Sequence, residues 1–576
     1  MKKYNLILAA FIGLFASSCQ DTLNLKPEDT MSPDTYFQTA KQMELWCNGY
    51  YTQFDKAASV AAANADDNID NELGDVMMNE RNPASESGWN WTMLRKINYF
   101  FENSGHSTDA AAKKKYEGVS HFMRAYFYWV KVRRYGDVPY FDYVLKDDDT
   151  ASLRKKRDDR GFVMDKIMAD LDSAIVKLPA DRKDIVHVNK WTALALKSRV
   201  ALFEGTFRKY RGMQDAEKYL NLAAEAGDKF IKESGYKLYT TGETPYRDLF
   251  NSLDSKTEEV ILTRKYSKEA NVLHSTQFNI ANDRQGFTKR YMNHYLMADG
   301  SFYSAQAGYE TKEFVDEVAD RDPRLAQTVL VPGYVQVGAS KVTPNALNAF
   351  TGYQPIKYVS EAAYDGANKS HTDYALFRAA EVYLNFAEAK AELGTLTQAD
   401  LDASINKLRD RAKMPHMTLT DANANIDPLM VEYYPNVTQS ANTGVILEIR
   451  RERTIELSME GFRLYDIIRW KEGQQLTKPF YGCYFHGAGE YDMDNDGQND
   501  LLLYTDSKGA FKGTVKQIGK DIILTDGNSG MIHAIPNITV QWDENRDYLW
   551  PIPASERVLT GGALTQNPGW EDGVDL

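Results

Sequence analysis

The sequence predicts a mainly α-helical protein, a superhelix of tetratricopeptide-like helix pairs that carries a loop-rich, partly β elaboration. Two observations lead there. Several stretches share one grammar: an A-helix rich in alanine and aromatic residues, a turn with glycine, then a B-helix. Between them lie two long segments, residues 239–370 and 474–576, rich in the Gly, Asn, Asp, Tyr and Pro that mostly favour turns. The helical scaffold is accordingly assigned to residues 30–238 and 371–473, with the elaboration packed against it. The chain has 576 residues, enough for several domains or for one helical array that grows without a single core. The repeats favour the array, a single domain over residues 19–576.

Residues 1–18 read as a targeting segment. Met1, Lys2 and Lys3 make a basic start, and residues 6–15 make an apolar run too short to span a bilayer. Ala16, Ser17 and Ser18 put small residues directly before Cys19, an arrangement that resembles a bacterial lipobox with alanine in place of the usual leucine. Cys19 is therefore the expected lipidated N-terminus. No later stretch approaches a membrane span, so lipid is the expected anchor. Four helix pairs follow. Residues 116–135 pair with 160–178, Gly136 stopping the first helix and Pro139 preventing its resumption. Residues 191–205 pair with 215–226, and 380–394 with 399–412; Gly205 and Gly394 are expected to end their helices in a left-handed conformation. The fourth pair includes residues 445–470. Within it, residues 450–473 read as one helix that places Glu452, Glu456, Glu460 and Arg463 on a single side. Ile455, Met459 and Phe462 form one apolar stripe and Leu457, Leu464 and Ile468 another, so this helix should pack on two sides.

That 450–473 string also resembles a signature of the SusD/RagB family of outer-membrane lipoproteins. Other matches keep the family's order: residues 118–140 with their Tyr135-Gly136-Asp137-Val138-Pro139 exit, then 320–324, Thr351 to Tyr353 with Lys357 and Tyr358, 377–389, and finally 549–553 with 566–570. The resemblance implies a binding protein without catalysis. Such a protein is held on the outer face of the outer membrane and acts as a hinged lid over a SusC-like, TonB-dependent transporter. It captures an oligosaccharide or, in some members, a peptide.

The residues can be asked what chemistry they carry. A net charge of −13 argues against nucleic acid, whose phosphates need clustered Lys and Arg. Cys47 and Cys483 are the other cysteines; without a Cys-x-x-Cys or Cys/His cluster, zinc and redox chemistry have no ligands, and whether these two pair is left open. Metalloprotease, serine-hydrolase and phosphate-loop patterns are missing, which disfavours an exported glycoside hydrolase or other enzyme less directly, since 81 acidic residues make any carboxylate pair uninformative without geometry. A plain assembly scaffold would not need such long inserts. The one metal signal is residues 492–500, with Asp492, Asp494, Asp496 and Asp500 at positions 1, 3, 5 and 9, Gly497 at 6 and the Gln498 carbonyl at 7. Leu503 stands where an EF-hand needs glutamate, so the reading is a structural calcium loop leading into a strand. For a glycan, flat aromatic faces and planar polar groups are needed. Trp89 is the expected exposed platform beside Asp67 in the 64–68 stretch, with Trp91 buried at the start of a helix. Arg378 is the expected bidentate partner, and Arg284 with Tyr291 form a second cluster.

The anchor is testable directly. Cys19→Ala should release the protein from membranes; a variant that still fractionates with the outer membrane in cells lacking the barrel would overturn it.

Overall fold

The computed structural model describes residues 36–62, 65–146, 148–571 and 573; Cys19 and Asn64 lie outside the described residues. The helical part begins with α1 (Ala40–Asn48), entered through a capping box between Thr39 and Gln42. It continues with α2 (Thr92–Asn103), α3 (Ala110–Tyr135), α4 (Arg160–Lys177), α5 (Lys190–Lys209) and α6 (Ala216–Glu233). After the first elaboration come α7 (Ala379–Leu393), α8 (Ile405–Ala412), α9 (Thr443–Glu456) and α10 (Arg463–Arg469). α3 packs on α4, α5 on α6, and α7 on α5, α6 and α9, the neighbour-to-neighbour stacking of a helix-pair array. Side-chain caps fix the starts: Asp109 accepts from the Ala112 N–H, Asp159 from Gly161 and Phe162, and Asn189 from Trp191 and Thr192.

Two glycines of the repeat behave differently. Gly394 ends α7 at φ +74°, as its position predicts. Gly205 does not end α5, which runs on to Lys209. It is buried against α6, where an added Cβ would lie 2.8 Å from Leu220 Cγ. Its missing side chain permits close helix approach.

The segments at 239–370 and 474–576 hold short helices and short strands around a second core, which includes Tyr246, Phe287, Tyr291, Tyr353, Phe485 and Leu501. β1 (Asn68–Ile69) pairs antiparallel with β3 (Gly286–Phe287), and β2 (Val260–Arg264) with β4 (Tyr374–Arg378). β5 (Tyr481–Phe485) pairs antiparallel with β9 (Gly530–His533). A three-stranded sheet has β7 (Leu501–Tyr504) between antiparallel β6 (Gly489–Tyr491) and parallel β8 (Thr514–Gln517). Cys47 sits in the helical core and Cys483 in the second core, both as free thiols.

The 450–473 segment lies at the seam of the two cores. Ile455 and Met459 enter the second, while Leu457, Leu464 and Ile468 enter the first, the two-sided packing that the apolar stripes predict; Phe462 joins the first rather than its expected stripe. It is not one helix. α9 stops at Glu456, Met459 and Gly461 take φ of +56° and +79°, and α10 restarts at Arg463. The physical reason is that side chains occupy the carbonyls that a continuing helix would use: Tyr246 Oη and Arg378 Nη2 each donate to the Glu456 carbonyl at 2.7 Å, and Lys357 Nζ to that of Ser458 at 2.8 Å.

The break lets three carboxylates join one buried network. Glu452 accepts from Arg324 (2.9 Å) and Arg409 (2.7 Å), Glu456 from Arg378 (2.6 Å) and Arg411 (2.5 Å), and Glu460 from Arg378 and Lys357. Burial pushes the Glu456 carboxyl up, but Arg411, Arg378 and Arg324 outweigh it and hold it at about 2. Removing one partner leaves an uncompensated buried charge. Arg378→Ala should therefore cost roughly 3–5 kcal/mol of stability. Urea unfolding measures this; a loss under about 1 kcal/mol, the range of a surface pair, would show that the network carries no such strain.

Candidate functional site

The structure separates the expected ligand residues. Trp89 is buried, 7% exposed, and Trp91 is the half-buried one, the reverse of the expectation. The cause lies along α3: Glu86 accepts from Tyr135 Oη (2.7 Å) and Arg134 (2.9 Å), and Lys131 donates to the Gly88 carbonyl. This clamp lays the Trp89 ring edge-on against Tyr135, at 4.9 Å, so it offers no face to a sugar. Arg378 is also unavailable, because its Nε, Nη1 and Nη2 all donate to Glu259, Glu456 and Glu460. Tyr291 is fully buried, stacked on Phe287 at 4.2 Å and hydrogen-bonded to Tyr295 Oη at 2.8 Å. Asp67 is buried beneath β1; burial and then the neighbouring Asp66 charge push its carboxyl up to about 7. Asp66 takes the ion pair instead, receiving Arg463 Nε at 2.6 Å and Nη2 at 2.7 Å.

Arg284 is the expected residue that remains exposed. Pairing of β1 with β3 sets Asn68 and Ile69 against Phe287 and Gly286, and the Asn71 N–H donates to the Asp283 carbonyl at 3.2 Å. Arg284 sits at φ +53°, a left-handed conformation unusual for a residue other than glycine. Its guanidinium lies 4.1 Å from the centre of the Phe350 ring, and its Nε donates to the Asn348 carbonyl at 2.8 Å. The Phe350 N–H returns a bond to the Arg284 carbonyl at 3.1 Å, so the stacked pair is fixed from both backbones. The pair borders a cleft of 400 Å³ whose other walls include Leu347, Lys516, Asp521, His533 and Asn537. Asp70, Glu72 and Asp283 cluster beyond the cleft wall; burial and the charges of Asp283 and Glu72 raise the Asp70 carboxyl to about 6. A planar cation on a flat ring, with carboxylates and amides near, suits polyhydroxylated rings. Phe350, Lys516 and His533 carry no sequence signal for this role, being single residues in a loop and two separate strands.

The acidic loop keeps part of its predicted arrangement. Carboxylate oxygens of Asp492, Asp494 and Asp500 lie within 4.8 Å of one another. Asp494 Oδ1 is buried with no hydrogen-bond partner, and burial together with the charges of Asp500, Asp496 and Asp492 raises that carboxyl. Asp496 turns away to accept from the Gln498 N–H at 2.8 Å, and Asn495 and Gly497 take positive φ to close the turn. An all-oxygen set with an unpartnered buried oxygen fits a hard cation such as calcium.

Comparison with known proteins agrees with the helical architecture. The sequence model of the SusD family matches residues 258–570, and one described as "Starch-binding associating with outer membrane" matches residues 40–202. The chain is 23% identical to SusD-like protein P2 of Formosa agariphila, over 99% of this chain and 100% of that protein. It is 25% identical to the starch-binding protein SusD of Bacteroides thetaiotaomicron, over 66% of this chain and 68% of that one. A SusD-like protein from Bacteroides fragilis superposes with a TM-score of 0.69 at 22% identity, covering 95% of this chain and 100% of the other. A SusD-like carbohydrate binding protein from the same species gives 0.66 at 18% identity, covering 91% and 99%. With a family model spanning more than half of its residues, and a helix-pair scaffold in common with these structures, the chain belongs to the SusD family.

Proposed function

We propose that this protein binds oligosaccharides at the cell surface and delivers them to a SusC-like, TonB-dependent outer-membrane transporter, without catalysis. Lipidated at Cys19, it would be held on the outer membrane. No helix among the described residues is long and apolar enough to cross a membrane, which is compatible with a lipid anchor. The observation that carries the reading is the pair of an exposed Arg284 and a half-buried Phe350 beside an open cleft. A pre-assembled flat face binds a sugar ring with little ordering cost, because both side chains are already fixed. The Asp521 carboxylate and the Asn537 amide of the cleft wall supply acceptors for hydroxyl groups. The family's starch- and carbohydrate-binding members make a glycan the favoured ligand class.

A glycan array would identify the ligand, and calorimetry on the protein lacking its leader would weigh the site. Losing a hot-spot aromatic costs about 2 kcal/mol, so Phe350→Ala should weaken the cognate glycan roughly thirty-fold with an unchanged melt. Full affinity in a normally folded Phe350→Ala protein would exclude this cleft.

Calcium is proposed as a structural ion held by Asp492, Asp494 and Asp500. When bound it would supply the positive charge that these clustered carboxylates otherwise lack. An ion bound only to the folded state stabilises by mass action, so a chelator should lower the melting temperature. An identical melt with and without chelator, and no metal by elemental analysis, would remove the ion from the account.

A further inference from the structure

A second cleft, of 320 Å³, opens between α3, α5, β4 and the turn that joins α9 to α10. Its volume falls within the range of about 300–1,000 Å³ typical of small-molecule sites. In a chain of net charge −13, this cleft is lined by six arginines against four carboxylates. Most of those charges are spoken for. Arg199 pairs with Glu381, Arg378 with Glu460, and Arg453 and Arg469 share Asp466. Arg134 pairs with Glu86.

Arg133 is different. Among the described residues it has no hydrogen bond or ion pair, and its Nε is buried without an acceptor. Its guanidinium lies close to two rings, 3.6 Å from the centre of Tyr465 and 4.4 Å from that of Trp129. Trp129 adds a second orphan, a buried Nε1–H with no acceptor. Buried donors of this kind are costly unless something accepts from them. With rings as its near neighbours and no acceptor on its Nε, the guanidinium keeps its N–H donors for a partner, and arginine grips a carboxylate through two parallel N–H bonds. Phe462 and Tyr465, both half-buried on the same wall, give a ring something to lie against.

We propose that this cleft is a second ligand site, for the carboxylate of an acidic sugar, with Arg133 as the anion donor and the Trp129 indole as its neighbour. The choice of a uronic acid over an acidic peptide rests on the glycan reading above; the Arg133 geometry does not. The test titrates the protein lacking its leader with trigalacturonate, its methyl ester, maltotriose and a tri-aspartate peptide. Trigalacturonate should bind, weaken at least tenfold in Arg133→Gln, weaken with added sodium chloride, and keep this Arg133-dependent binding in Phe350→Ala. The ester and maltotriose should lack it. The proposal is overturned if trigalacturonate fails to bind at millimolar concentration, if the ester binds equally, if tri-aspartate binds in its place, or if Phe350→Ala removes the same binding. Should Arg133→Gln not fold, the acid-against-ester comparison decides alone. Loss of glycan binding in Phe350→Ala with intact trigalacturonate binding in that variant would uphold both sites, and the reverse pattern in Arg133→Gln separates their failures.

Discussion

The buried lattice of carboxylates and guanidinium groups around Glu452, Glu456 and Glu460 is the constraint on which the architecture turns. It joins α9 to Arg409 and Arg411 of α8, to Arg378 at the head of α7, to Glu259 beside β2, and to Arg324 and Lys357 of the elaboration. Helical scaffold and loop-rich part thus meet through charge rather than through apolar contact alone. Such a lattice need not add much net stability, since desolvation offsets the attraction. What it does is make wrong arrangements expensive: any slip of one segment strands a charge in low dielectric.

The same economy explains why the expected ligand residues are poor ligands. Asp67 and Arg378 have the right chemistry for recognition, and the lattice or its extension through Arg463 and Asp66 has already consumed their surroundings. Arg284 and Arg133 escape it in different ways. Arg284 is turned outward by a left-handed backbone and rests on Phe350. Arg133 lies within reach of aromatic rings where a carboxylate would ordinarily be. Arg284 spends only its Nε, on the Asn348 carbonyl, and Arg133 has no acceptor among the described residues, so both keep donors that a binding protein can use.

Trp89 and Trp91 teach the same lesson at smaller scale. The indoles stand two residues apart with their ring centres 5.3 Å from each other, and the sequence alone offers only the following helix as a guide to which is covered. The actual arbiter is Glu86, whose bonds to Arg134 and Tyr135 lay the segment along α3 and turn Trp89 inward. Those partners are nearly fifty positions away, and no local pattern reports them.

By itself the sequence determined the helix pairs, the glycine exits at Gly136 and Gly394, the two-sided packing of the 450–473 segment, and the convergence of Asp492, Asp494 and Asp500. These are short-range matters: periodicity, backbone freedom and ligand spacing act within a few residues. Only the tertiary structure decided that α9 breaks at Glu456, that Gly205 serves contact rather than termination, and that Phe350 completes a surface with Arg284. Each of these depends on a partner distant in sequence: Tyr246 and Arg378 for the break, Leu220 for the glycine, a separate loop for the stack. Exposure is the property that local sequence cannot carry, because it is set by what the rest of the chain brings to cover a side chain.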